Sequence, residues 1–351
     1  MNDVLFLLLS GVIFHLNPHP QPPRPQPVYP PIVYGTSITT VLTTPQSGFF
    51  SVAQYKGKAH AGTYCLNCGG TEFKNTAGTS MIVDNVRESV YDLFPDPVTG
   101  LLFLSSENSR GRVYTWDGSQ LKLFWQDPEQ VDSTLGTRRI MGHLVTISGE
   151  YKDPPESAFY IHGVGRPYLP GSSTKFIRDI FEFKGKVLIL GFDYEKEVGG
   201  WYESTDLIHW TWRELWPNMR FLRGRVTEGG NKLYIAGSPY TDGERHGPGV
   251  LIQTYTANPN PMAGDLHIAQ FFDCQLVFGF DVDHHSGAVY VGAHMGWRAA
   301  GDAQIWRYFA GQWSMIAILE EAETPSMTLT NDGLYVATRQ EGGNGKVYLI
   351  K

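Results

Sequence analysis

The stretch from Phe176 to Leu215 reads FIRDIFEFKGKVLILGFDYEKEVGGWYESTDLIHWTWREL. Four short runs in it are apolar or alternating: Ile177–Phe183, Lys186–Phe192, Gly200–Ser204 and Trp210–Leu215. Lys184-Gly185, the polar segment Asp193–Gly199 and Thr205–His209 separate them. Short runs rich in β-branched and aromatic residues, broken by Gly and polar clusters, are strands of an antiparallel meander. One four-stranded sheet has two raw edges and two faces to cover, so it needs partners.

Related hairpins recur along the chain. They begin at Ser89, Phe181, Gly224, Val277 and Ser326, with weaker versions at Phe50 and His143. Their second strands start near Lys58, Gly100, Ser157, Lys186, Lys232, Ala288 and Leu334, at spacings of 42, 57, 29, 46, 56 and 46 residues. A repeat in the forties with four strands per unit is the pattern of a β-propeller. The expected fold is all-β: a six- or seven-bladed propeller of four-stranded antiparallel blades. The last unit supplies three strands, Met327–Thr330, Leu334–Thr338 and Lys346–Ile350, and Ser37–Thr43 is the candidate fourth that would close the ring. The domain layout is an apolar segment at 1–17, a proline-rich spacer at 18–35 and the propeller at 36–351.

Composition agrees. Aromatics make up 13% of residues, with 39 Gly and 22 Pro, which suits many strands and tight turns. The net charge is −7 without a basic block, which argues against a nucleic-acid partner. Val4–Leu16 is apolar but shorter than the roughly 20 residues a bilayer-spanning helix needs. It reads as a secretion signal or as a plug docking the chain into a protein partner. The tract HPQPPRPQPVYPP from His19 to Pro31 would be a stiff, extended spacer. Cys65-x-x-Cys68 has no second ligand pair, so the sequence implies no metal and no cofactor. Asp281-Val-Asp283-His284-His285 aligns with the hairpin turns of other units, and Glu320-Glu321-Ala322-Glu323 reads as a solvated acidic face.

Ser204-Thr205-Asp206-Leu207-Ile208-His209-Trp210 resembles the S-x-D-L-x-x-W turn of five-bladed glycosidase propellers acting on furanosides and arabinans. It is also similar to a shortened Asp box of six-bladed sialidases. The resemblance implies a structural role: Ser and Asp hold turn amides, and Trp packs between blades. A sialidase-type site would add convergent arginines and a Tyr-Glu pair. Arg178, Arg223 and Arg225 lie near the starts of inner strands, where a central pocket would form, whereas Tyr202-Glu203 sits on a third strand.

Loop placement carries the functional expectation. The loops between second and third strands are long, whereas the hairpin turns at the other end are short. The long loops hold Tyr168, Tyr194, Tyr240, Arg245, His246, His294, Trp297 and Arg298, which are candidate ligand-binding residues. Aromatic platforms with Arg and His donors suit sugar rings or a protein surface. The reading is a non-enzymatic module binding a glycan or cell-surface receptor, extracellular or on a virion surface such as a phage tail, with no catalytic residue assigned. The alternatives are a secreted sialidase-like or furanosidase-like hydrolase and a structural assembly propeller.

Overall fold

A computed structural model describes residues 37–351 except 65–69, 85–88, 108–110, 129–132, 151–155, 228–231, 242–243, 246–248, 255–265, 273, 275, 284–285, 295–301 and 341, together with Leu8–Leu9 and Val12–Ile13. Ile32–Lys351 is one compact unit, and Met1–Pro31 is counted apart from it. In the latter, Leu8–Leu9 pairs antiparallel with Val12–Ile13, and most of the apolar segment and the proline tract lie outside the described residues. Among the described residues no helix is long and apolar enough to cross a membrane.

The chain folds as consecutive antiparallel meanders. The strands Lys175–Phe183, Lys186–Asp193, Val198–Ser204 and Thr211–Pro217 make a four-stranded sheet in chain order, here the 175–217 sheet. The strands of 276–319 form another. Those of 219–272 form a five-stranded sheet, which includes the short Glu244–Arg245 strand, and those of 133–161 a three-stranded one. The remaining strands form a continuous twelve-stranded sheet with two narrow junctions, where Tyr64 pairs with Ser89 and Arg339 with Gly48. Those single-residue bridges divide it into meanders at 48–84, 89–126 and 323–350. Ile38–Thr43 pairs antiparallel with Lys346–Ile350, Thr39 opposite Leu349 and Thr40 opposite Tyr348.

Burial explains the sequence patterns. Second strands such as KVLILGFD are buried along nearly their whole length and read as continuous apolar runs. Fourth strands such as TWRELWP are mostly exposed or half-buried. The 175–217 sheet therefore grades from a covered inner side to a solvated outer strand. Several hairpins use two-residue turns with φ positive at both positions: Lys56-Gly57 (49°, 72°), Met141-Gly142 (47°, 79°), Lys184-Gly185 (49°, 75°) and Ala310-Gly311 (51°, 85°). Those are the values of the turn whose twist matches paired strands, and glycine takes the second position at no steric cost.

The Ser204–Trp210 turn satisfies its own backbone. Ser204 Oγ accepts from the Leu207 and Asp206 amides at 2.9 and 3.2 Å. Asp206 Oδ1 accepts from the Ile208 and His209 amides at 2.9 and 2.8 Å. Trp210 donates through Nε1 to the Leu207 carbonyl at 2.9 Å and packs edge-on to Phe159 of the 133–161 sheet at 5.2 Å. The acidic run after Leu319 departs from expectation. Glu320 is exposed, but Glu321 and Glu323 are buried, because Lys346 reaches Glu321 at 3.2 Å and Arg339 binds Glu323. A solvated face holds for Glu320 alone.

Candidate functional site

One irregularity recurs in the inner strands. In each meander the first strand spends one residue more than the second at the same level, shifting register between Phe49 and Ser51, Val90 and Asp92, Thr134 and Gly136, Ile177 and Asp179, Phe221 and Arg223, Val277 and Phe280, and Glu323 and Ser326. A bulge re-aims the extra side chain. Phe50, Tyr91, Leu135, Leu222 and Phe278 accordingly meet in one buried cluster. Phe50 stacks on Tyr91 at 4.7 Å and stands edge-on to Phe278 at 5.8 Å. Arg178, the extra residue of its strand, donates to Tyr91 Oη at 2.6 Å and lies over Phe176. These contacts join sheets far apart in chain order.

Beside this cluster, towards the short-turn end, is a polar pocket of about 290 Å³. Its lining includes Asp92, Arg138, Arg223, Arg225 and Asp281, from four different sheets. Arg138 clamps Asp92 through both terminal nitrogens. Burial pushes the Asp92 carboxyl up, but the charge and hydrogen bonds of Arg138, with Arg223 and Arg225 behind, more than offset this, so it lies below the ordinary carboxylate value. Arg225 reaches Asp179 at 3.2 Å and Asp281 at 3.6 Å. Asp179 also accepts from the Gly224 amide at 3.0 Å, and Asp281 from the Leu329 amide at 2.8 Å.

A second pocket, of about 400 Å³, lies between the outermost strand of the 89–126 sheet and the last strand of the three-stranded sheet. Trp125, Pro128, Tyr160, His162 and Arg166 line it. The Trp125 and Tyr160 rings are 4.8 Å apart, and His162 lies edge-on to Trp125 at 5.3 Å and 65° to Phe124 at 5.1 Å. Tyr160 Oη donates to Asp127 at 2.7 Å, which fixes the ring. Burial pushes the His162 imidazole down to about 4, so it is neutral at pH 7, with Nε2 2.8 Å from Thr146 Oγ1.

The sequence candidates separate in space. Arg223 and Arg225 line the polar pocket, and Arg178 sits in the bulge cluster. Tyr194 and Tyr240 meet edge-to-face at 5.6 Å, and Arg220 lies over both, at 5.6 and 5.4 Å. Tyr240 is buried, while Tyr168 stands 77% exposed. Arg245 pairs with Tyr240, and His294 ends the Val289–His294 strand opposite Leu276; only their backbones are described. His246, Trp297 and Arg298 lie outside the described residues, as do Cys65, Cys68, His284 and His285. Asp283 belongs to a hairpin turn, bonded to Ser286, whereas Asp281 points into the pocket lining. The sequence reading missed Arg138, Asp92, Trp125, Tyr160 and His162. The recurring inner-strand position of Asp92, Asp179 and Arg223, one residue after each bulge, is the signal that marks the pocket.

No protein-family model matches the chain, and no curated protein sequence does. Solved structures resemble it in shape. Hydrazine synthase of Kuenenia stuttgartiensis has a TM-score of 0.60 at 11% identity, covering 88% of this chain and 97% of that one. A putative 6-phosphogluconolactonase from Bacteroides uniformis scores 0.55 at 13% identity, covering 87% and 92%. The GH74 enzyme of Niastella koreensis scores 0.55 at 10% identity, covering 86% of this chain and 53% of that one. At such identities the likeness is one of fold alone, and that fold is all-β and propeller-like.

Proposed function

We propose that the chain is a seven-bladed propeller and a non-enzymatic module that binds a glycan of a cell-surface receptor. The meanders at 48–84, 89–126, 133–161, 175–217, 219–272, 276–319 and 323–350 are the blades, and Ile38–Thr43 closes the ring as the last blade's outer strand. The apolar N-terminal segment would hold the head on a larger extracellular or virion-surface assembly.

The observation that carries the binding reading is the aromatic pocket at Trp125, Tyr160 and His162. A sugar ring offers an apolar C–H face and a rim of hydroxyls. Indole and phenol rings stack on the first, and a neutral imidazole and an arginine bond the second. Exposed Phe124 and Leu123 on the same strand extend the apolar surface. A glycan array probed with the full chain and with Trp125→Ala tests this. Binding by the parent and its loss in the variant supports the reading; equal signals sink it.

One feature favours the hydrolase alternative. Glu107 is buried, and burial raises its carboxyl above the ordinary value despite the Ser89 hydrogen bond and the charges of Arg339 and Arg178. A carboxyl whose proton is held more tightly than usual is the direction a glycosidase acid needs. Release of reducing sugar by the parent, abolished in Glu107→Gln, would establish that reading instead.

A further inference from the structure

The polar pocket is lined by an arginine without a protein hydrogen-bond acceptor among the described residues. Arg223 is 7% exposed and lines the pocket. Its guanidinium lies 4.7 Å over the Phe278 ring and makes no hydrogen bond to the described residues. The carboxylates around it are engaged elsewhere: Asp92 by Arg138, Asp179 by Arg225 and the Gly224 amide, and Asp281 by the Leu329 amide. A guanidinium has five donors in a fixed plane, and those of Arg223 open onto the pocket instead of being sealed in the protein. Burial and the neighbouring Arg225 charge both work against its ionised form, while Asp92 and Asp179 support it.

We propose that this pocket is a binding site for a small hydroxylated carboxylate, whose two oxygens pair with the Arg223 fork. A planar carboxylate pairs with the guanidinium fork through two parallel hydrogen bonds, which a spherical anion cannot make. A volume of about 290 Å³ lies just under the range of ordinary ligand pockets and holds one small molecule. The rest of the lining is polar too: Thr328 and Ser326, whose Oγ accepts from the Val52 amide, present hydroxyls, while Gln54 and Thr330 are bonded to Asp332 and Gly333. The site is separate from the aromatic pocket and does not depend on that pocket binding a glycan.

The test uses the full chain and D-glucuronate, with D-glucose as the same ring lacking the carboxylate. Calorimetric titration and thermal melting are run on the parent and on Arg223→Met. The expected result is that glucuronate binds the parent and raises its Tm, that the substitution weakens this binding at least tenfold, and that glucose binds neither protein measurably. Without ligand, the variant should melt at or above the parent's temperature, because a buried cation without hydrogen bonds has been replaced by an apolar chain. The proposal is overturned if glucuronate leaves the parent unchanged, if the variant binds it as well, or if glucose binds the parent equally. It is also overturned if the variant melts well below the parent or does not fold, since Arg223 is then a structural residue.

Discussion

Arg178 of the 175–217 sheet donates through Nη1 to the Tyr91 hydroxyl of the 89–126 sheet at 2.6 Å. Both are the extra residues of bulged inner strands, and both are buried. The bond spans 87 positions of sequence and fastens together two sheets that are not consecutive. Tyr91→Phe keeps the ring stack with Phe50 but removes one hydrogen-bond acceptor of a buried cation. A loss of about 1.5–3 kcal/mol is expected, the usual range for a hydrogen bond to a charged group. Urea denaturation of parent and variant measures it; an unchanged midpoint would show that the bond contributes nothing.

The strand Ile38–Thr43 covers the edge of Lys346–Ile350, and its Val41 and Leu42 pack on a cluster that includes Phe49, Tyr335 and Val347. A chain starting at Thr44 should be less stable than one starting at Ser37 by about 2–4 kcal/mol, from the lost apolar burial. It should also self-associate, because the bared strand offers unpaired amides and carbonyls to a neighbour. Melting curves and light scattering over a concentration series check both effects.

Ser204 Oγ is buried and accepts two amide hydrogen bonds in the turn that seats Trp210. Ser204→Ala leaves those amides to find other partners, at a cost of about 1–2 kcal/mol. Near-ultraviolet circular dichroism should lose part of its tryptophan signal if the turn also loosens Trp210. Retention of full stability would mean that the Asp206 carboxylate alone organises the turn.

His162 makes acid stability a readout of the aromatic pocket. Its folded value of about 4 lies below the ordinary 6.5, for which burial is the cause. As pH falls from 6.5 to 4 the unfolded chain takes up a proton that the folded chain refuses, so stability is lost over that window and unaffected above it. Asp127, held by Tyr160 and Ser148, and Arg166, over Tyr160, are the charged groups nearby. The loss is on the order of 1–3 kcal/mol, since the ring is only half-buried. His162→Gln should flatten this part of the pH–stability curve relative to the parent, measured by urea midpoints between pH 4 and pH 7. Parallel curves would sink the assignment.

Most strands, their grouping into meanders and the hairpin chemistry were legible in the residues. Those rest on neighbours within a few residues: apolar runs such as KVLILGFD, the positive-φ turns at Lys184-Gly185 and Met141-Gly142, and the Ser204–Trp210 turn. The exception is the unit at 133–161, where the expected first and second strands at His143 and Ser157 are the second and third. Ser133–Ile140 comes before them, and the loop holding Tyr168 follows the third strand. The need of the last unit for another strand was also legible, because three strands leave an edge that Ile38–Thr43 then pairs with. Where chemistry gathers depends on packing between sheets. Alternation along a strand has a period of two, and a bulge breaks it without a clear mark in the residue types, so the convergence of Arg178 and Tyr91 was not readable. Arg138 meets Asp92, and Trp125 meets Tyr160 and His162, because separate sheets pack side by side. Such meetings depend on how whole sheets twist and pack against one another, and no local stretch of sequence carries that information.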